Sequence, residues 1–325
     1  MQQHLMRSIF VIAVFVFAAA KVFAADATFS IDGKRVYACN YDEPKLAVID
    51  LEKQSVADLD LSEFVGKLEI KAVSLSASGN LLFVTERDVR AYSFEKKKCV
   101  KLCSAPEGVK FEDLAYNPKD GGILISTSRG NEYGSLYLEK NTSKPLSVVM
   151  RRVGYFSGMA FTADGELFFG TRGDLWQAHV EIDKENLQFQ QCDLVGWRCA
   201  PLATLETQNT TPAQTGVERV AVAGDKLYVH LHRMGGSGWG NIVRLQKFDH
   251  KDEDGLKKLF ELYAKELLSV ETLAENGTAS YLCSSPDGKR VFFTTGVLGH
   301  DGTQAYLIED NGKPQELNLR FPKAN

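Results

Sequence analysis

The residues able to do chemistry fall into two sets at repeating offsets along the chain. Four arginines, Arg87 in TERD, Arg129 in TSRGNE, Arg172 in TRGD and Arg233 in HLHRMGG, each follow the core of a short apolar run by four or five residues. Guanidinium groups gathered on one surface would trap carboxylate, phosphate or sulfate, because the planar fork meets two oxygens at once. The acids beside them (Glu86, Asp88, Glu132 and Asp174) offer a competing use in ion pairs. At a surface such pairs contribute about 0–1 kcal/mol each. The second set comprises Lys71, Glu112-Asp113, Ser157, Glu218-Arg219 and Ser280. Carboxylates suit hard cations, so Glu112, Asp113 and Glu218 are the candidate ligands of a divalent metal such as calcium.

One stretch, HLHRMGGSGWGN over residues 230–241, is unusual in holding two His, an Arg, four Gly and a Trp. His-x-His places both imidazoles on one face of a strand, which suits a metal or a general base; two ordinary exposed histidines are the plainer reading. Trp239 can stack on a sugar or an aromatic ligand. His300-Asp301 is the available completion of a site with His232. Residues 250–261 carry the spacing of a calcium loop, but His250 stands where Asp is needed and Lys257 where an apolar residue is needed, so they read as an acidic turn. The spacing of Leu256, Leu259, Phe260, Tyr263, Leu267 and Leu268 predicts either a short amphipathic helix over Gly255–Leu268 or a fourth strand with a linker. Asn141, Asn209 and Asn276 begin glycosylation sequons. No nucleophile elbow, phosphate loop, dinucleotide fingerprint or His-Glu-x-x-His pair is present, which removes the main support for serine-hydrolase, nucleotide-dependent and zincin readings.

The elements that must position these residues repeat. A turn followed by a short apolar strand occurs six times, with its glycine at Gly33, Gly79, Gly121, Gly165, Gly224 and Gly288. The spacings are 46, 42, 44, 59 and 64 residues, the last two carrying insertions at 190–209 and 235–268. A glycine in a tight hairpin supplies positive φ, and the flanking runs (RVYAC, NLLFV, GILIS, ELFFG, KLYVH, KRVFF) are rich in β-formers. Apolar strands before and after each hairpin, and often a fourth, more polar one, predict an all-β propeller of six blades, each of four antiparallel strands. Seven blades remain the alternative if one insertion hides a degenerate unit. In this fold the start of each innermost strand and the loop between its second and third strands share one face, the top.

Ser285-Pro286-Asp287-Gly288-Lys289 ahead of RVFF resembles the Ser-Pro-Asp-Gly-Lys repeat of bacterial WD-like propellers, a group that includes the six-bladed periplasmic propeller of the Tol–Pal system. Val36–Asp50, with Asn40 after the second strand and Val-Ile-Asp in the third, is similar to YVTN-type repeats. The likeness covers most of residues 28–319 and implies fold, not ligand.

Residues 1–24 read as a secretory signal peptide and 25–325 as a single propeller domain. Arg7 supplies the positive start, 9–20 the apolar run and Val22-Phe23-Ala24 the cleavage signature. The run stops at Lys21, short of the roughly 20 apolar residues a membrane span requires. A periplasmic or secreted, monomeric protein is expected. Export permits up to three disulfides among Cys39, Cys99, Cys103, Cys192, Cys199 and Cys283; the economical pairs are Cys99–Cys103 and Cys192–Cys199, and buried free thiols are the alternative for Cys39 and Cys283. With 38 Lys+Arg against 42 Asp+Glu the net charge is −4, which disfavours nucleic acid as a partner. The first functional expectation is a non-catalytic propeller whose top face binds a protein partner or a small polar, anionic ligand. The alternative is a propeller hydrolase or lyase, lactonase-like or esterase-like, using either the Glu112/Asp113/Glu218 metal site or His232 with Arg233.

Overall fold

The computed structural model describes residues 26–39, 43–128, 133–138, 147–151, 157–170, 175–182, 187–193, 215–233, 240–246, 271–277, 281–296 and 302–319. Its hairpins form where the turns were read. All six turn glycines have positive φ, between 58° at Gly224 and 89° at Gly165, a region closed to most other residues. In blades 1, 4 and 6 the side chains repeat one device. The Ser30, Thr162 and Ser285 hydroxyls donate to Asp32, Asp164 and Asp287, each at 2.5 Å. The same hydroxyls accept the amides of Arg35, Glu166 and Arg290, each at 2.9 Å, so each turn satisfies its own polar groups. These bonds hold the Asp32 and Asp287 carboxyls below the usual range.

Six four-stranded sheets result, every pairing antiparallel and in chain order. Blade 1 is β1 (Ala27–Phe29), β2 (Arg35–Cys39), β3 (Lys45–Asp50) and β4 (Ser55–Asp60), followed by the one-turn helix α1 (Ser62–Val65). Blade 2 is β5 (Ala72–Leu75), β6 (Leu81–Val84), β7 (Asp88–Ser93) and β8 (Lys98–Ser104). Blade 3 is β9 (Phe111–Tyr116), β10 (Ile123–Thr127), β11 (Tyr133–Leu138) and β12 (Ser147–Arg151). Blade 4 is β13 (Ser157–Phe161), β14 (Glu166–Gly170), β15 (Leu175–Ile182) and β16 (Leu187–Asp193). Blade 5 is β17 (Thr215–Ala223), β18 (Lys226–Arg233), β19 (Gly240–Gln246) and β20 (Glu271–Gly277). Blade 6 is β21 (Leu282–Ser284), β22 (Arg290–Thr294), β23 (Ala305–Glu309) and β24 (Gln315–Leu317).

The inner strands β1, β5, β9, β13, β17 and β21 touch in cyclic order, and β21 returns to β1. The ring therefore closes at six. The second strands are continuous apolar runs because both faces are covered: Leu81–Val84 and Ile123–Thr127 are buried at every position. Neighbouring blades share cores, as where Leu46, Leu61 and Ile70 meet Leu81, Phe83 and Tyr92.

Blade 1 is built from β1–β4 and blade 6 from β21–β24, so among the described residues no strand is shared across the seam between them. Side chains close it instead. Phe29, Val36, Ala38 and Ile49 pack on Tyr281, Cys283, Phe292 and Leu307. The buried Tyr281 hydroxyl donates to the Cys39 carbonyl oxygen at 2.7 Å. The Arg290 guanidinium lies over Gly33, where an added Cβ would come within 2.1 Å of Nη2.

The Cys99–Cys103 pair departs from expectation, whereas Cys39 and Cys283 follow the free-thiol alternative. Cys39, Cys99, Cys103 and Cys283 are free thiols. Cys99 and Cys103 both lie on β8, so their Cα atoms stand about 13 Å apart at roughly 3.3 Å per residue. A disulfide tolerates no more than about 7 Å, and the local pair is ruled out by its own strand. Cys199, residues 1–24 and the segment 255–268 lie outside the described residues, as do sequon residues Asn141 and Asn209. Among the described residues no helix is long and apolar enough to cross a membrane.

The seam makes a testable demand. Phe29→Ala, emptying a fully buried site, should destabilise the fold by about 3–5 kcal/mol. Tyr281→Phe, which leaves the Cys39 carbonyl unmet, should cost about 1–2 kcal/mol. Denaturant midpoints at constant slope would check both.

Candidate functional site

Three adjacent blades share a defect at the top of their inner strands. On β9, Asp113 faces Ser126 and Phe111 faces Thr127, so Glu112 is an extra residue. On β13, Ser157 faces Gly170 and Met159 faces Phe169, leaving Gly158 extra. On β17, Val217 faces Leu231 and Arg219 faces His230, leaving Glu218 extra. A bulge bends the strand and re-aims the side chains beside it. Here it separates neighbours. Asp113 and Arg219 turn to the central channel, while Glu112 and Glu218 turn to other partners. Lys71 Nζ meets Glu112 Oε2 at 2.7 Å, and His230 Nδ1 lies 3.2 Å from Glu218 Oε2.

The channel holds a cavity of about 130 Å³ to which all six inner strands contribute. Its charged lining residues are Asp26, at the threshold of β1, with Asp113 and Arg219; the Tyr116 hydroxyl and Cys283 thiol belong to residues that line it as well. These three come from blades 1, 3 and 5. Burial pushes the Asp113 carboxyl up to about 6, and the Glu112 charge adds to this. Arg219 and the amides of Leu114 and Gly158 pull it back, Leu114 N donating to Asp113 Oδ1 at 2.8 Å. Burial, and then the charge of Asp113, hold Asp26 well above the usual carboxylate range, against the opposing pull of Arg219 and the Ala27 amide. Two desolvated carboxyls thus share one guanidinium, and the pair resists full ionisation. Such a group can take up a proton and hold an anion within one small space.

Gly158 makes this approach possible. It has φ of 57°, and a Cβ there would stand 2.4 Å from Arg219 Cα, 2.6 Å from Glu218 O and 2.8 Å from Val220 N. All three are backbone atoms and cannot swing aside. The same residue's amide serves Asp113, so one glycine both admits β17 and holds the acid.

The residues anticipated for the site divide. Glu112, Asp113 and Glu218 do not converge, because the bulges send the two glutamates elsewhere. Cations already stand at the carboxylates, Lys71 at Glu112 and Arg219 near Asp113 and Asp26, so these side chains fit a divalent metal poorly. Among the described residues no group of three or more His, Cys, Asp or Glu could hold one. Arg87 is 72% exposed, 3.6 Å from Glu86, whose carboxyl Lys110 holds below its usual range at 2.7 Å. Arg233 and His232 end β18, opposite Thr215 and Gly216. Their side chains, and Arg129, Arg172, Trp239 and His300, lie outside the described residues. His230 corrects an expectation: it is 1% exposed, not a surface histidine, since β18 is covered on both sides. Asp26 was not anticipated at all. It stands seven residues before Gly33, the offset of Gly158 before Gly165, but its place beside Val22-Phe23-Ala24, read as a cleavage signature, obscured the repeat.

No family model matches the sequence, and no curated protein matches it either. Its fold is shared with solved structures. Regucalcin, a calcium-binding protein of Agrobacterium tumefaciens, superposes with a TM-score of 0.55 at 13% identity, covering 92% of each chain. A gluconolactonase of Xanthomonas campestris gives 0.55 at 12% identity, covering 83% of this chain and 82% of that one. Virginiamycin B lyase of Staphylococcus aureus gives 0.52 at 12% identity, over 93% and 86%. The chain is a β-propeller, and at these identities the likeness is one of fold.

Two measurements probe the cluster. Gly158→Ala should destabilise by more than about 2 kcal/mol, from positive φ and backbone overlap, read as a fall in melting temperature. Asp113 binds its proton more tightly folded, near 6, than unfolded, near 3.8. That contribution to stability is fully present below about pH 4 and is lost as pH rises through about 6, up to roughly 3 kcal/mol. Asp113→Asn should therefore flatten the stability profile between pH 4 and pH 7.

Proposed function

We propose that the protein is a hydrolase of small esters or lactones acting at the upper mouth of the channel. The observation that carries this reading is the meeting of Asp26, Asp113 and Arg219 in one cavity. A carboxyl near 6 suits a general base at neutral pH. Ionised Asp113 takes a proton from water as the water oxygen bonds to the substrate's carbonyl carbon. Arg219 holds the oxyanion that forms, in a site where burial strengthens the attraction. As the intermediate collapses, the bond to the alkoxide oxygen breaks, and that oxygen receives the proton from Asp113. The products are a carboxylic acid and an alcohol, on one molecule when the substrate is a lactone. The presence of a gluconolactonase and a lyase among the similar folds supports the class. Export through residues 1–24 belongs to the same proposal.

Against a panel of small lactones and aryl esters, kcat/KM should rise with pH through about 6 as Asp113 loses its proton. Asp113→Asn should lower kcat by about 10²–10⁴-fold and remove that rise. Absence of turnover for every panel member would overturn the reading.

The second reading, a non-catalytic propeller binding a partner or small anion on its top face, is favoured by Arg87. Its guanidinium is largely exposed and held only at 3.6 Å by Glu86. In that case there is no turnover, and sulfate raises the melting temperature of the wild-type chain but not of Arg87→Ala.

A further inference from the structure

His230 is nearly fully buried on β18, yet it takes no part in the chemistry assigned to the channel. Its surroundings give it a task. The β17–β18 register places Arg219 directly opposite it, and Glu218 is the residue squeezed out between Val217 and Arg219. Glu218 is held from two sides. Its carboxylate lies 3.2 Å from His230 Nδ1, and its carbonyl oxygen accepts from Arg219 Nη1 at 3.1 Å. The guanidinium therefore folds back onto the residue whose carboxylate lies against the histidine. Gly158 closes the opposite flank, leaving the Arg219 backbone no room to move toward β13.

We propose that His230 is a positioning residue that fixes Arg219 at the channel through the bulged Glu218. The inference rests on the reading of Arg219 as the group that meets the substrate's developing charge. Without its carboxylate anchored, the extra residue of the bulge can rotate, its carbonyl leaves Arg219, and the guanidinium loses its seat between Asp113 and Asp26. The link is mechanical and does not require His230 to touch substrate.

The test reads Arg219 directly. In the full chain labelled with ¹⁵N, the Arg219 Nε–H resonance is assigned by its loss in Arg219→Lys, and its hydrogen exchange with water is measured. His230→Leu should speed that exchange about tenfold, because the close contact that holds the Glu218 carboxylate in place is lost. His230→Asn, whose amide can meet Glu218 in place of the imidazole, should restore the slow rate. Should His230→Leu fail to fold, Glu218→Gln keeps the volume, weakens the same link and should also speed exchange. A folded variant of either kind with unchanged Arg219 exchange would overturn the proposal. Faster exchange in a chain that turns over no ester or lactone keeps the positioning role and removes only the hydrolase reading; turnover with unchanged exchange does the reverse.

Discussion

The closure of blade 6 onto blade 1 is the constraint on which the rest of this molecule depends. Asp26 belongs to the first blade, Asp113 to the third and Arg219 to the fifth, so no local contact brings them together. They meet because six inner strands form a ring, and among the described residues no strand is shared across its seam to lock it. Buried side chains about Phe29 and Phe292, with the Tyr281–Cys39 hydrogen bond, do that work. Opening the seam would return the two acids to water and let both ionise.

Given closure, the bulges decide what the channel contains. A regular strand points successive residues to opposite sides. In blades 3 and 5 an acid or a base follows a glutamate at the mouth, and the extra residue lets each member of the pair find a separate environment. Glu112 is spent on Lys71, and Glu218 on His230. What remains in the channel is two carboxyls and one guanidinium, desolvated by the walls that hold them. The positive charge that faces those carboxyls is supplied by the protein's own arginine. A propeller scaffold fixes no chemistry by itself, so what the channel can do rests on the groups that line it.

The fold was largely legible in the order of residues, and the site only partly. The six hairpins could be read because each needs a residue at positive φ beside a hydroxyl or carboxylate that completes the turn, and both demands are met within five or six residues. The apolar second strands could be read because burial on both faces leaves no alternation. Asp113 and Glu218 were visible as acids at the mouth. Their separation was not, since whether a strand bulges depends on the partner strand's register and on Gly158 letting two backbones approach.

Local chemistry in the chain, then, settled where the hairpins turn and which apolar runs are their strands, and left six blades or seven open until the inner strands met in a ring. Only the tertiary structure decided which mouth residues face the channel, that Cys99 and Cys103 remain apart, and that Asp26 joins residues more than eighty positions away. The physical reason is range. Turn preference and burial pattern act over a few residues, whereas desolvation and charge pairing depend on neighbours that exist only once the ring has closed.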